Sequence, residues 1–162
     1  MATVIDSNVS HTEPRSQRDE TSHPWLVATR HTAGACAGVS VVDDGLVVFV
    51  SDSESASRGT MVELLPDGTA RVQCQQAPQA LYVHGGQAEL VPELPGLCDN
   101  LSPADDDLIV LASAGVLEYL PRGFGLVVAR MADESEADVM LSEMLSYAKA
   151  GGAAVVRRLP LT

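Results

Sequence analysis

Aromatic residues and cations are what this 162-residue chain has least of. Aromatics make up 4%, so its core has to be aliphatic, built from Val, Leu and Ala. Ten Lys plus Arg stand against 22 Asp plus Glu, a net charge of −12. That imbalance excludes nucleic acid and anionic membrane surfaces as partners, because each phosphate contact needs a cation. A basic protein partner is compatible with it. The three cysteines, Cys36, Cys74 and Cys98, are widely spaced and form no Cys-x-x-Cys pair, which removes zinc ribbons and disulfide frameworks and leaves small buried thiols in a reducing compartment. No run of about 18 apolar residues occurs, so no membrane span is expected. The N-terminus lacks the basic region and apolar run of a secretory signal, and the cytoplasm is the expected location. Gly-x-Ser-x-Gly, Gly-x-Gly-x-x-Gly and the phosphate loop are all absent.

The composition that remains, 46% apolar and 20% charged, is that of one globular domain. Met1 to Ser22 is polar and has too little apolar surface to offset the entropy of ordering it, so residues 1–22 are expected to be a disordered tail and residues 23–162 the folded domain. His11 and His23, at an irregular interval in or beside that tail, carry no metal-site signal. From Trp25 the pattern is β. Trp25 to Arg30 reads as an edge strand. Gly34 to Val42 reads as a strand whose small residues let another layer approach, and Asp43-Asp44-Gly45 as a hairpin turn. Leu46 to Val50 then reads as a strand buried on both faces. Thr60 to Leu65 and Thr69 to Cys74 flank a second turn at Pro66-Asp67-Gly68. Ala80 to His84 and Gln87 to Val91 are joined by Gly85-Gly86, and Pro92 and Pro95 mark a loop onward.

The chain is organised around Asp105-Asp106-Asp107, the apolar run Leu108 to Ala112, and Ser113-Ala114-Gly115. An acidic turn feeds a buried central strand that empties onto a rim and a short helix ended by Pro121-Arg122-Gly123. Phe124 to Met131 fits strand and helix equally. Ser135 to Ala150 is the clearest helix: Ser135 caps it, and Glu136 and Asp138 suit its positive end. Ala137, Met140, Leu141, Met144, Leu145 and Ala148 share one core-filling face, and Gly151-Gly152 stops it. Ala153 to Leu159 closes the domain as a last strand.

This order of residue types resembles the metal-dependent protein phosphatases, protein phosphatase 2C and its bacterial sporulation and stress-response relatives. There an acidic turn and an apolar strand run into Ser-Asp-Gly, and an earlier strand ends in Gly-Asp-Ser, here Ser51-Asp52-Ser53. The resemblance covers Gly34 to Leu159 and implies an α+β fold: a mostly antiparallel β-sheet sandwich with packed helices, shortened relative to the family. It also implies two divalent ions that deprotonate a bridging water. The metal-holding Asp of Asp-Gly is Ala114 here, and the Asp before the closing strand falls in Gly151-Gly152. The family's N-terminal acidic cluster would precede Gly34, where only the polar tail and one short strand lie.

Asp52, Asp105, Asp106 and Asp107 remain as weak metal candidates. Three consecutive residues entering a strand point to alternating sides, so at most two of the last three can converge, and a solvated turn is the expected state; Asp43-Asp44 is likewise a turn. His31 and His84 could act as base to Ser113 or confer mild pH sensitivity, and no spacing selects either. The expectation is a catalytically inactive, phosphatase-like protein without a cofactor. It would bind a protein or phosphoprotein partner in bacterial signalling, with homo-oligomers in view. The alternatives are an active manganese- or magnesium-dependent phosphoserine/phosphothreonine phosphatase with a rearranged site, and an assembly subunit that completes its fold by oligomerisation.

Overall fold

The computed structural model describes residues 4–6, 24–53, 59–94, 96–118, 136–146, 148 and 150–160. Eleven strands are seen among them: β1 Val4–Asp6, β2 Trp25–His31, β3 Cys36–Val42, β4 Gly45–Ser51, β5 Gly59–Leu64, β6 Ala70–Gln75, β7 Ala80–His84, β8 Gln87–Val91, β9 Cys98–Leu101, β10 Leu108–Ala112 and β11 Gly152–Arg158. The helices are α1, Ala114–Leu117, and α2, Ala137–Ser146. One sheet runs β1-β2-β11-β10-β7-β8 and the other β3-β4-β5-β6-β9. Every strand pair is antiparallel except β1 with β2. The expected α+β sandwich is the observed one.

Alternation along the strands builds two apolar layers. Ile109 and Leu111 of β10 and Ala154 and Val156 of β11 point between the sheets, where they meet Trp25, Val27, Val48, Val62 and Val72. The intervening Leu108, Val110, Ala153 and Val155 face the opposite way, onto Met140, Leu141 and Met144 of α2. All five residues of β10 are therefore buried. That double cover is what its unbroken apolar run encodes.

Several local expectations are corrected. Trp25 to His31 is not an edge, since β1 pairs alongside it, Val4 opposite Val27 and Asp6 opposite Thr29. β1 lies inside the stretch read as a polar tail; the remainder of 1–22 is outside the described residues. β4 is buried on one face only: Leu46, Val48 and Val50 are buried, Val47 and Phe49 half-buried, because α2 covers the other sheet. Gly38 sits beneath the Phe49 ring of its own sheet, where an added Cβ would lie 3.1 Å from Cζ, so its small size serves that ring rather than a second layer. In the β3–β4 turn Asp43, not the glycine, takes positive φ (52°). Gly45 is required instead by close approach, its Cβ position lying 2.7 Å from the Leu64 carbonyl oxygen. β9, which pairs with β6, falls in the stretch read as a loop. α2 ends at Ser146, short of Ala150. Ser135, Pro121 to Gly123 and Phe124 to Met131 lie outside the described residues.

Candidate functional site

The sandwich has two ends, and β10 connects them. Asp105 to Asp107 enter the strand at one end and Ser113 leaves it at the other, so five residues of strand, roughly 17 Å, separate Asp107 from the Ser113 rim.

At the first end Asp105 and Asp106 are exposed, Asp106 with φ of 68°, and Asp107 turns inward at 7% exposure. Its Oδ2 accepts from the Ala104 backbone N–H at 2.8 Å and from the Tyr82 hydroxyl at 2.6 Å. His84 Nδ1 lies 2.8 Å from both of its oxygens. The expected solvated turn is thus corrected at Asp107, whose carboxylate caps the strand entry. Burial, and then the bond to Asp107, push the Tyr82 phenol well above its ordinary pKa, since ionisation would set a second anion against the carboxylate. Beside it Arg158 is buried, 5.6 Å over the Trp25 ring, donating from Nε to the Gly68 carbonyl at 3.3 Å and from Nη1 to the Leu159 carbonyl. Gly68 has φ of +90°, and a Cβ there would run into the guanidinium. The Asp67 carboxyl in the same turn is held below its usual pKa by the Thr69 hydroxyl and N–H.

At the second end a cavity of about 260 Å³ is lined by Val50, Asp52, Gln76, Pro78, Ser113 and Ala114 among others. Asp52 follows directly on β4 and is exposed; its Oδ1 accepts the Gly115 N–H at 2.9 Å, tying β4 to α1 across 63 residues. Ser113 is buried, and its Oγ accepts the Gly152 N–H at 2.9 Å. Thr32 Oγ1 accepts the Gly151 N–H at 2.8 Å, while the Gly151 carbonyl accepts the Thr32 N–H at 2.9 Å. Ala114 is exposed and adds only a methyl. A Cβ at Gly151 would lie 2.6 Å from Val116 Cγ2 and 2.7 Å from Ser113 Oγ, and one at Gly115 would strike the Ala150 carbonyl oxygen. At Gly115 and Gly151 the packing leaves no room for a side chain.

The candidates are not brought together. Asp52 is at the rim and Asp105 to Asp107 are at the far end. His84 is there too, and His31 Nδ1 lies 3.0 Å from the carbonyl oxygen of Thr32. Neither histidine reaches Ser113, whose hydroxyl oxygen is already an acceptor. Among the described residues no three His, Cys, Asp or Glu side chains converge. Two divalent ions need several carboxylates at one point, and among the described residues Asp52 is the only carboxylate lining this cavity, already committed to Gly115. The described donor set does not fit a manganese or magnesium pair. Sequence reasoning missed Thr32 as a rim residue and the bond from Gly115 to Asp52, because these partners lie 119 and 63 residues apart.

No family model matches the chain, and no curated protein matches it. Solved structures do match. The RsbU and RsbW domains of a Mycobacterium tuberculosis protein superpose with a TM-score of 0.65 at 15% identity, over 85% of this chain and 62% of that one, so this chain spans less than two thirds of that relative. The phosphatase domain of the cell fate determinant SpoIIE from Bacillus subtilis gives 0.64 at 12% identity, over 87% of this chain and 96% of that domain. The serine/threonine phosphatase PstP of Mycobacterium tuberculosis gives 0.54 at 8% identity, over 85% and 99%.

Proposed function

From the protein phosphatase 2C-like fold that these superpositions share with the chain, we propose that it is a catalytically inactive phosphatase-like module, a pseudophosphatase, that acts in bacterial signalling by binding a protein partner. The observation that carries this reading is Gly151. In the resembling family an Asp at this turn holds metal, whereas here a β-carbon would fall on Val116 and Ser113. Ala114, at the other expected ligand position, offers no lone pair. The folds it resembles belong to regulators, a cell fate determinant and a chain that also carries an RsbW domain, which supports a protein partner. The test is hydrolysis of p-nitrophenyl phosphate with millimolar manganese or magnesium. The reading expects no metal-dependent turnover, and turnover abolished by a chelator would overturn it in favour of a phosphoserine/phosphothreonine phosphatase with a rearranged site.

A second reading rests on the uncovered sheet. Among the described residues no helix packs on the outer face of β3-β4-β5-β6-β9, where Phe49, Met61, Gln73 and Gln75 line a shallow depression. A homo-oligomer formed through that face would bury apolar surface and strengthen as salt screens the −12 charge. Sedimentation at low and high salt decides it: a strict monomer at tens of micromolar in both conditions removes this reading.

A further inference from the structure

We infer that the open edge of β8 is a docking site for an extended segment of a protein partner in which cationic and apolar residues alternate. The inference rests on the reading that the chain acts by binding a protein, and it names where that protein binds and what chemistry it carries.

β8, Gln87–Val91, ends its sheet, and among the described residues it pairs with β7 alone. Gly85 and Gly86 both take positive φ, 57° and 77°, as a two-residue type I′ turn requires, so His84 and Gln87 form the hydrogen-bonded pair that closes the hairpin. Bonded pairs then recur at Glu89 with Tyr82 and at Val91 with Ala80. The N–H and C=O groups of Ala88 and Leu90 are left pointing away from β7, at the spacing that a further strand would use. An unpaired edge of this kind accepts another strand unless Lys, Pro or a bulge blunts it. The five residues of β8 contain neither Lys nor Pro, and their register with β7 is unbroken.

The two faces of the edge select the strand that fits. Ala88 and Leu90 lie opposite Val83 and Leu81, on the face that packs toward α2, and Leu90 is 55% exposed. Apolar side chains of a partner strand would extend that layer and cover Leu90. Glu89 lies opposite Tyr82 on the other face and is exposed. Just beyond the strand Glu93 is exposed, and its backbone N–H donates to Asp99 Oδ2 at 2.9 Å, which brings a further carboxylate to the same flank. Between Arg71 and Arg122 the chain has seven Asp and Glu and no Lys or Arg. The one histidine of that stretch, His84, is already bonded to Asp107. Cationic side chains on the partner's second face therefore meet carboxylates, and anionic ones are repelled. A second copy of this chain fits worse, because the antiparallel register that uses both Ala88 and Leu90 sets the two copies' Glu89 side chains against each other.

The test uses three end-capped peptides: alternating Lys and Val, alternating Glu and Val, and the same Lys and Val residues arranged in two blocks. Each is titrated into the isotope-labelled full chain while amide resonances and their exchange with solvent are followed. In the free chain the Ala88 and Leu90 amides should exchange fast beside slowly exchanging Glu89 and Val91. The alternating Lys-Val peptide should shift and protect Ala88 and Leu90, and the other two peptides should bind there at least tenfold more weakly. Glu89→Lys, a change at an exposed position, should weaken the alternating Lys-Val peptide at least threefold. Protection of Ala88 and Leu90 in the free chain, no shift at these amides, equal binding of either control peptide, or binding unchanged by Glu89→Lys would each overturn the inference. Any of these without metal-dependent turnover defeats this inference alone; metal-dependent turnover defeats the reading beneath it.

Discussion

The two ends of the sandwich solve the same problem with opposite chemistry. Where β10 begins, large polar groups are buried and answered: the Arg158 guanidinium over Trp25, the Asp107 carboxylate between Tyr82, His84 and the Ala104 N–H. Where β10 ends, the residues are Ser113, Ala114, Gly115, Gly151 and Gly152, and the backbone is held by hydroxyl and amide bonds between neighbours. In a metal-dependent phosphatase the second end would be the place for buried charge. Here the charge sits where it serves folding, and the other end is tightly packed at Gly115 and Gly151, where an added Cβ finds no room.

The comparison can be broken most strongly at the folding end. Arg158→Ala removes a buried cation, its carbonyl bonds and its contact with Trp25, and should cost about 3 kcal/mol in urea unfolding. A loss under 1 kcal/mol would mean that this end is not held by its polar groups. Next comes the rim. Gly151→Asp restores a carboxylate in a space that Val116 and Ser113 already occupy, so it should destabilise by about 1–3 kcal/mol and confer no metal-dependent rise in melting temperature. A variant of unchanged stability that is stabilised by manganese would show that the rim can reopen.

Tyr82→Phe probes the folding end more finely and should cost about 1 kcal/mol at neutral pH. It also carries a pH signature. The folded phenol has a pKa raised above its ordinary value of 10.0, so the folded state holds a proton that the unfolded state releases. The stability this contributes is fully present below pH 10 and is lost as pH rises through the folded pKa. Unfolding followed from pH 9 to 11.5 should fall more steeply for the parent chain than for Tyr82→Phe; equal slopes would remove the linkage.

The sequence made the fold readable where a local rule and the tertiary outcome coincide. Leu108 to Ala112 announces a doubly covered strand because five apolar residues in a row fit no half-exposed one, and Met140, Leu141 and Met144 announce the face of α2 by spacing. β9 went unread because Cys98-Asp99-Asn100-Leu101 has little strand propensity and is ordered by pairing with β6, which lies more than 20 residues back. β4 was misread because Val47 and Phe49 look like core residues, and only the position of α2 reveals which sheet is covered. At the candidate site the small residues Ala114 and Gly151-Gly152 were legible as residue types. The bonds that hold the rim were not, since Asp52 with Gly115 and Thr32 with Gly151 join distant segments. Asp107 shows the same limit in reverse: three acidic residues read as solvated, and the pocket made by Tyr82 and His84 buries one of them.

The smallest expected effect tests the central claim most directly. Ala114 is exposed, so Ala114→Asp should change stability by no more than about 0.5 kcal/mol, and one added carboxylate beside Asp52 does not make a two-metal site. Manganese titrated by calorimetry into the parent chain and into Ala114→Asp should give no saturable heat in the micromolar range for either protein. Micromolar binding by the parent chain would contradict the account, because this end of the sandwich would then hold the metals that its packing is argued to exclude.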